Sequence, residues 1–407
     1  MENSGFKDIK FKKRDRCVIC GKRYARPIIN LPRFPLTEIY VDRRINHNLG
    51  FVDQEFHLCE RCGHGQIANI IDPNMLYGSC YKTRTSTSSS ATLAVDTFLD
   101  FINAILKDRT VESIFEIGCN DLYMLKKLKN RADVLYGVDP ILKGMESVYK
   151  DDKIKIIGGF FENVDVKGLG LKMDVVLSSH TLEHVEEPKE LIYSLLDSSS
   201  NDTTFFFQFP GVEALINDAH FDQIFHQHLN YFSLQSVLYL LDEVDAELLD
   251  FQVNPYHWGA IMIAFKKKTS DSNSNYNFKR KVQKISSELV NKQYNIFKEN
   301  IDLAARRIDS FSDRVIYGYG AALMLPVLEY YLNRISQLKY IIDEDTSKKD
   351  LYYLNLPVQI KMLNQIEDIE SSVVLVTAMN SMQPFRAVMK KMIQLNVEKI
   401  IVPINLV

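Results

Sequence analysis

The chain has 407 residues, which at roughly 150 residues per domain predicts two or three domains. Hydrophobic residues make up 46% and charged residues 25%, an ordinary balance for a globular protein that excludes wholesale disorder. Lys and Arg number 49 against 52 Asp and Glu, so a net charge of -3 carries no electrostatic footprint for nucleic acid.

The opening segment MENSGFKDIKFKKRDR has charges but no apolar core after them, so it does not read as a secretory signal. No apolar run approaches the roughly 20 residues of a membrane helix, and no membrane partner is expected. Six cysteines in so long a chain do not form a disulfide scaffold, and a reducing cytoplasm is the expected location.

Cys17-Val-Ile-Cys20 and Cys59-Glu-Arg-Cys62 form two CxxC knuckles with 38 residues between them. Each knuckle turns two thiolates toward one ion, and two knuckles complete a four-thiolate zinc site. Four thiolates leave no open position, so the metal reads as structural. His57 and His64 beside the second knuckle are alternative ligands, whereas Cys80 and Cys119 are not expected to ligate. PIINL and TEIYV within this segment read as short strands. The polar run KTRTSTSSS, residues 82–90, reads as a loop.

ATLAVDTFLDFINAIL carries apolar residues at helical spacing. From Ser113 the pattern alternates: strands at SIFEIGC, VLYGVDP, MDVVLSSH and TTFFFQFP, helices at YMLKKLKN and PKELIYSLLDSS. Such alternation indicates βαβ units and a largely parallel sheet. A second polar boundary lies near Lys266 to Asn277, and a long helix is predicted from about Phe278 to Phe311. The alternation then restarts at RVIYGYGAA, LKYIIDED, SSVVLVTAM and EKIIVPIN. The expected architecture is α/β: a zinc-binding module over 1–80, a Rossmann-like core over 81–268 and a second Rossmann-like domain over 269–407.

Glu116-Ile-Gly-Cys-Asn-Asp121 ends the first core strand, where a glycine turn exposes backbone N–H groups and lets a ligand approach. The next strand ends at Asp139, about 20 residues on, where a carboxylate can accept ribose hydroxyls. The single glycine, Gly118, and the absence of a Walker lysine argue against NAD and ATP and for S-adenosylmethionine. In the other unusual segment, Phe221 to Ser233, His226 and His228 stand at i and i+2 among aromatics. An imidazole there can remove a moderately acidic proton. Neither histidine has a third ligand at zincin spacing.

The glycine loop and acidic strand end resemble class I S-adenosylmethionine-dependent methyltransferases. The resemblance implies that Glu116, Gly118, Asn120 and Asp121 shape the cofactor loop and that Asp139 holds the ribose. It implies that Phe160 or Phe161 flanks the adenine and that His180, in Ser178-Ser-His-Thr-Leu-Glu-His184, follows the fourth strand at the cofactor. Leu122 departs from it, because related chains carry a glycine there.

The order of modules narrows this further. A two-knuckle zinc module, a methyltransferase core, a YHEH-like segment and a second Rossmann-like domain resemble sugar C-methyltransferases, over nearly the whole chain from Cys17 to about Pro403. These act at C3 of nucleotide-linked 4-keto-6-deoxyhexoses. The resemblance implies His228 as general base, His226 and Gln227 as neighbours that position substrate or base, and Tyr77 near cofactor or sugar in a segment that includes Tyr81. The family's Tyr and Glu beside the first histidine are replaced by Phe225 and Gln227. His257, beside the only tryptophan, is a weaker pocket candidate, and Tyr317-Gly-Tyr-Gly320 with Asp343 resembles a second nucleotide turn without implying a second cofactor. The expectation is a monomeric enzyme; the alternatives are a sugar O- or N-methyltransferase and a non-catalytic scaffold that kept the fold.

Overall fold

The computed structural model describes residues 6, 9–24, 26–44, 49–76, 84–166, 168, 170, 172–256, 259–269, 274–280, 282, 284–378 and 382–403. Tyr77, Cys80, Tyr81, His257 and Trp258 lie outside them.

The cysteine-bearing segment folds on an antiparallel sheet of β1 (Ile29–Pro35), β2 (Phe51–Leu58) and β3 (Gly65–Ile67). A fourth, two-residue strand, Asn230–Tyr231, comes from far along the chain and pairs with Gly65 and Gln66. β1 buries Ile29 and Leu31 at alternate positions, and a register irregularity after Leu31 shifts the phase so that Phe34 is buried in turn.

The core is a seven-stranded sheet. β4 (Val111–Ile117), β5 (Ala132–Asp139), β6 (Ile154–Gly158), β7 (Val175–Ser179) and β8 (Thr204–Pro210) are parallel; β9 (Ala246–Asn254) and β10 (Ala260–Lys267) are antiparallel. The spatial order is β9-β10-β8-β7-β4-β5-β6. The order reverses at β4, and the crevice beyond the carboxyl ends of β4 and β7 is where such sheets bind ligands. The apolar runs IFEI, VVLS and FFFQF belong to strands covered on both faces.

Helix α1 (Ser89–Leu106) is capped by Ser88, whose side chain accepts from the Ala91 N–H. It is long and apolar enough by composition to cross a membrane. Its Phe98, Phe101 and Ile102 are instead packed with Ile114 and Phe206 of the sheet. The cap places Ser89 and Ser90 in the helix rather than in the preceding loop. After α2 (Tyr123–Lys127), α3 (Pro188–Asp197) and α4 (Leu234–Glu243) lay Leu191, Ile192, Leu195, Val237 and Leu241 in one cluster with Phe205 and Phe207.

The long predicted helix is α5 (Ser287–Asp309), and it starts later than periodicity suggests because Ser286 caps the Leu289 N–H. Beyond it, β11 (Ile316–Tyr319), α6 (Leu325–Leu332), β12 (Ile341–Asp343), β13 (Ile360–Met362), β14 (Val373–Val376), α7 (Met382–Gln394) and β15 (Lys399–Ile401) build an all-parallel sheet, order β13-β12-β11-β14-β15. The expected α/β architecture is thus borne out. The three modules share apolar packing: Leu31, Phe34 and Phe56 lie in one cluster with Phe221, Phe225, Leu325 and Leu328.

Candidate active site and zinc centre

The sulfurs of Cys17, Cys20, Cys59 and Cys62 lie within 4.8 Å of one another. The Cys17–Cys62 and Cys20–Cys59 separations are 3.6 and 3.4 Å. Four thiolates at about 2.3 Å from a tetrahedral zinc stand roughly 3.8 Å apart, so these residues fit the ion closely. Each knuckle closes through a glycine with positive φ: the Gly21 N–H donates to the Cys17 carbonyl at 2.9 Å and the Gly63 N–H to the Cys59 carbonyl at 2.7 Å. His57 and His64 are engaged elsewhere, with Glu55 at 3.0 Å and Asn230 at 3.4 Å.

The second site is a cavity of about 700 Å³ over the carboxyl ends of β4, β5 and β7. At one end the β4 turn lies on the wall. Gly118 has φ +72°, and a Cβ there would stand 2.0 Å from Thr181 Oγ1, so the turn requires glycine for conformation and for space. Asp139 Oδ2 accepts from the Asn120 N–H at 2.8 Å and Oδ1 from the Ile141 N–H at 2.9 Å. Each carboxylate oxygen keeps a further lone pair for a ligand hydroxyl. Burial pushes the Asp139 carboxyl above its ordinary range.

Gly118, Asn120, Asp139, Phe160, Phe161 and His180 all line this end of the cavity. A bare backbone cradle beside an anchored carboxylate and two phenyl rings fits an adenosine-type cofactor such as S-adenosylmethionine. Asp121 and Glu116 are not on the wall. Asp121 Oδ2 accepts from the Ser86 N–H at 3.0 Å and so fastens the approach to α1 onto the loop. Glu116 is buried under the turn, and burial first, then Asp139 and Asp121, push its carboxyl well above the usual range. Leu122, in the left-handed region at φ 67°, is buried in one apolar cluster with Met124 and Leu125.

At the other end His228 lies on the wall with Phe225, Glu183 and His184. The His228 ring is 4.0 Å from that of Phe225 and 5.0 Å from that of His184. His226 and Gln227, grouped with His228 on sequence grounds, turn away from the cavity into the first module. His226 Nδ1 lies 3.1 Å from Gln54 Nε2, and Nε2 lies 3.2 Å from the Phe34 carbonyl. Burial holds this imidazole down to about 4. The Gln227 amide meets the Thr37 hydroxyl at 2.9 Å and donates to the Thr37 carbonyl at 3.1 Å.

Glu183 and His184 were not singled out in the sequence; the paired Glu-His after β7 was their only signal. Burial raises the Glu183 carboxyl to about 7. The second Rossmann-like domain brings Leu323 to the cavity, and the first module brings Lys12, Glu38 and Ile70. Asp343 of β12 accepts from the Ala321 N–H, closing its own glycine turn.

Residues 93–250 match the family model described as "Methyltransferase domain", and residues 17–77 match that described as "Putative zinc binding domain". The C-methyltransferase NovU of Streptomyces niveus is 23% identical over 256 residues, 61% of this chain and 60% of that protein. The matched segment thus spans about three fifths of that relative's length. Solved structures similar to the core include the magnesium protoporphyrin IX methyltransferase ChlM from Synechocystis PCC 6803, 14% identical over 48% of this chain and 92% of that one, TM-score 0.35. The Burkholderia thailandensis 1,6-didemethyltoxoflavin-N1-methyltransferase is 12% identical over 43% and 79%, also at 0.35. The two family matches agree with the methyltransferase core and the zinc module read from the sequence.

Proposed function

We propose that this chain, a member of the S-adenosylmethionine-dependent methyltransferases that carry a zinc module, methylates C3 of a nucleotide-linked 4-keto-6-deoxyhexose. The observation that carries the reading is the single cavity: the Gly118–Asp139 cradle and the His228 imidazole open into one space. NovU, a C-methyltransferase by name, supports carbon as the acceptor.

Bound S-adenosylmethionine supplies an electrophilic methyl group. The protein's part is positioning and proton removal. The Gly118 turn admits the cofactor without a side chain in the way, and Asp139 accepts its ribose hydroxyls. Phe160 or Phe161 would flank the adenine. A ketone at C4 acidifies the C3 hydrogen, and His228 takes that proton to leave an enolate. With the cofactor held in the Gly118–Asp139 cradle, its methyl group would be the electrophile for C3, and the sugar would gain a methyl in place of the proton that His228 takes. The four-cysteine zinc has no open position and serves the fold.

The test incubates the enzyme and S-adenosylmethionine with dTDP-, GDP- and CDP-linked 4-keto-6-deoxyhexoses deuterated at C3. A methylated product that has lost the deuterium is expected from at least one of them. His228→Ala should retain cofactor binding and lose turnover by about 10²–10⁴-fold. Methylation that retains the deuterium, or near-normal turnover in the variant, overturns the reading.

A further inference from the structure

Glu183, His184 and His228 each offer a ligand atom within 4.8 Å of the others. No zincin spacing announces this group, because His228 reaches it through the fold. The Leu229 N–H donates to the Glu183 carbonyl at 2.8 Å, and Asn230 Nδ2 donates to the Val185 carbonyl at 2.6 Å. These bonds pin the two ligand-bearing segments together.

The supporting contacts also have the form of a metal site. His184 Nδ1 lies 2.8 Å from the Gln227 carbonyl, which can only accept. Nδ1 therefore carries the hydrogen and Nε2 the lone pair, the way a ligating imidazole is commonly oriented. Glu183 is fully buried on the cavity wall, with Oε1 3.3 Å from His180 Nδ1. Its Oε2 has no hydrogen-bond partner among the described residues. A buried carboxylate oxygen without a partner is costly, and a cation would satisfy it.

We propose that Glu183, His184 and His228 form a second metal site, taking a divalent first-row ion of the zinc type. Two imidazoles and one carboxylate are the donor set of three-ligand zinc sites, whose fourth position faces solvent or substrate. Hard ions such as Mg²⁺ and Ca²⁺ favour all-oxygen sets. Donors about 2.0–2.2 Å from one ion stand roughly 3.4 Å apart, so from separations within 4.8 Å the donors need close by at most about 1.4 Å. The cavity provides the entry path. Coordination uses the His228 lone pair that a proton would otherwise take, so metal and proton compete for one nitrogen and a filled site inhibits proton removal. The binding itself does not depend on the proposed reaction.

The test starts from protein with one zinc on the four cysteines and titrates it with Zn²⁺, counting bound metal by native mass spectrometry. The wild type is expected to take a second equivalent. Glu183→Gln and His228→Asn should each keep the first and weaken the second by more than about tenfold, beyond the lower bound seen for outer-shell changes. A parallel Co²⁺ titration should fill the second site without a new thiolate charge-transfer band. Thermal melting identifies folded variants, and either one suffices. A wild type that stops at one equivalent, or folded variants that bind the second unchanged, overturns the proposal.

Discussion

Replacing Gly118 by alanine should destabilise the core through two separable effects. The backbone sits at φ +72°, and holding an L-residue in the left-handed region costs about 1–2 kcal/mol. The new Cβ would stand 2.0 Å from Thr181 Oγ1 and 2.9 Å from its Cβ and Cγ2. Relieving such a clash in a packed site costs about 1–3 kcal/mol more. The expected loss for Gly118→Ala is therefore about 2–5 kcal/mol. Thr181→Ala alone gives up contacts of its hydroxyl with the Ile117 and Ser179 carbonyls, both at 3.3 Å, and should lose about 1 kcal/mol. In the double variant Oγ1 and Cγ2 are gone and only the 2.9 Å approach remains, so the losses should fall short of additive by about 1–2 kcal/mol. Denaturant unfolding of all four proteins measures this coupling, and calorimetry with S-adenosylmethionine reports whether the turn still admits cofactor. A fully additive cycle, or a Gly118→Ala protein as stable as wild type, would refute the steric account.

Asp139→Ala removes both the anchor for the Asn120 and Ile141 N–H groups and the proposed ribose acceptor; calorimetry should show S-adenosylmethionine binding weaker by roughly 1.5–3 kcal/mol. His226 is held down to about 4, below its ordinary 6.5, so the unfolded chain binds a proton that the folded chain refuses. Stability from this group is present above pH 6.5 and lost as pH falls toward 4; His226→Asn should flatten that part of the denaturation profile while lowering stability at neutral pH. Metal analysis should find one tightly held zinc per chain in protein prepared without added metal. Cys59→Ser, or strong chelation, should lower the melting temperature, because the cysteines pack in one cluster with Phe209 and Phe232.

The zinc ligands and the Gly118 turn were legible because their chemistry is written in short spacings. Two CxxC knuckles need only local backbone geometry, and a glycine turn with an acidic strand end about 20 residues on reflects the βαβ repeat itself. The histidine segment was harder. A spacing of i and i+2 puts side chains on one face only if the backbone is a strand, and residues 226 and 227 lie in a turn. His226 and Gln227 consequently face the first module while His228 faces the cavity. Their partners, Phe34 and Thr37, are 192 and 190 residues away, beyond anything periodicity can report. Glu183 and His184 were illegible as part of a cluster for the same reason. The start of α5 shows the local limit: apolar spacing alone extended the helix to Phe278, and the Ser286 cap decides where it begins.

The same long-range contacts link the structural zinc to the reacting end of the cavity. Cys62 closes the second knuckle, and three residues later Gly65 and Gln66 pair with Tyr231 and Asn230, the strand that begins two residues after His228. The Ser233 hydroxyl adds a bond to the Gly63 carbonyl at 2.9 Å. The knuckle thus holds the chain immediately after His228, the proposed base. On the other side Asn355 Nδ2 donates to the Leu36 carbonyl at 2.8 Å, and Tyr352–Tyr353 pairs with Tyr40–Val41 beside Thr37 and Glu38. The first module is therefore clamped between the core and the second Rossmann-like domain, and its Lys12, Glu38 and Ile70 stand on the cavity wall. Gly118 and Asp139 rest on β4 and β5, whose ladders lie wholly within the core sheet. The geometry of the cradle is set by the core, whereas the position of His228 is set jointly with a module whose folding its four-cysteine metal site is expected to support. Partial loss of zinc should consequently disturb the imidazole before it disturbs the cofactor cradle, a structural metal acting on chemistry through the register of two residues.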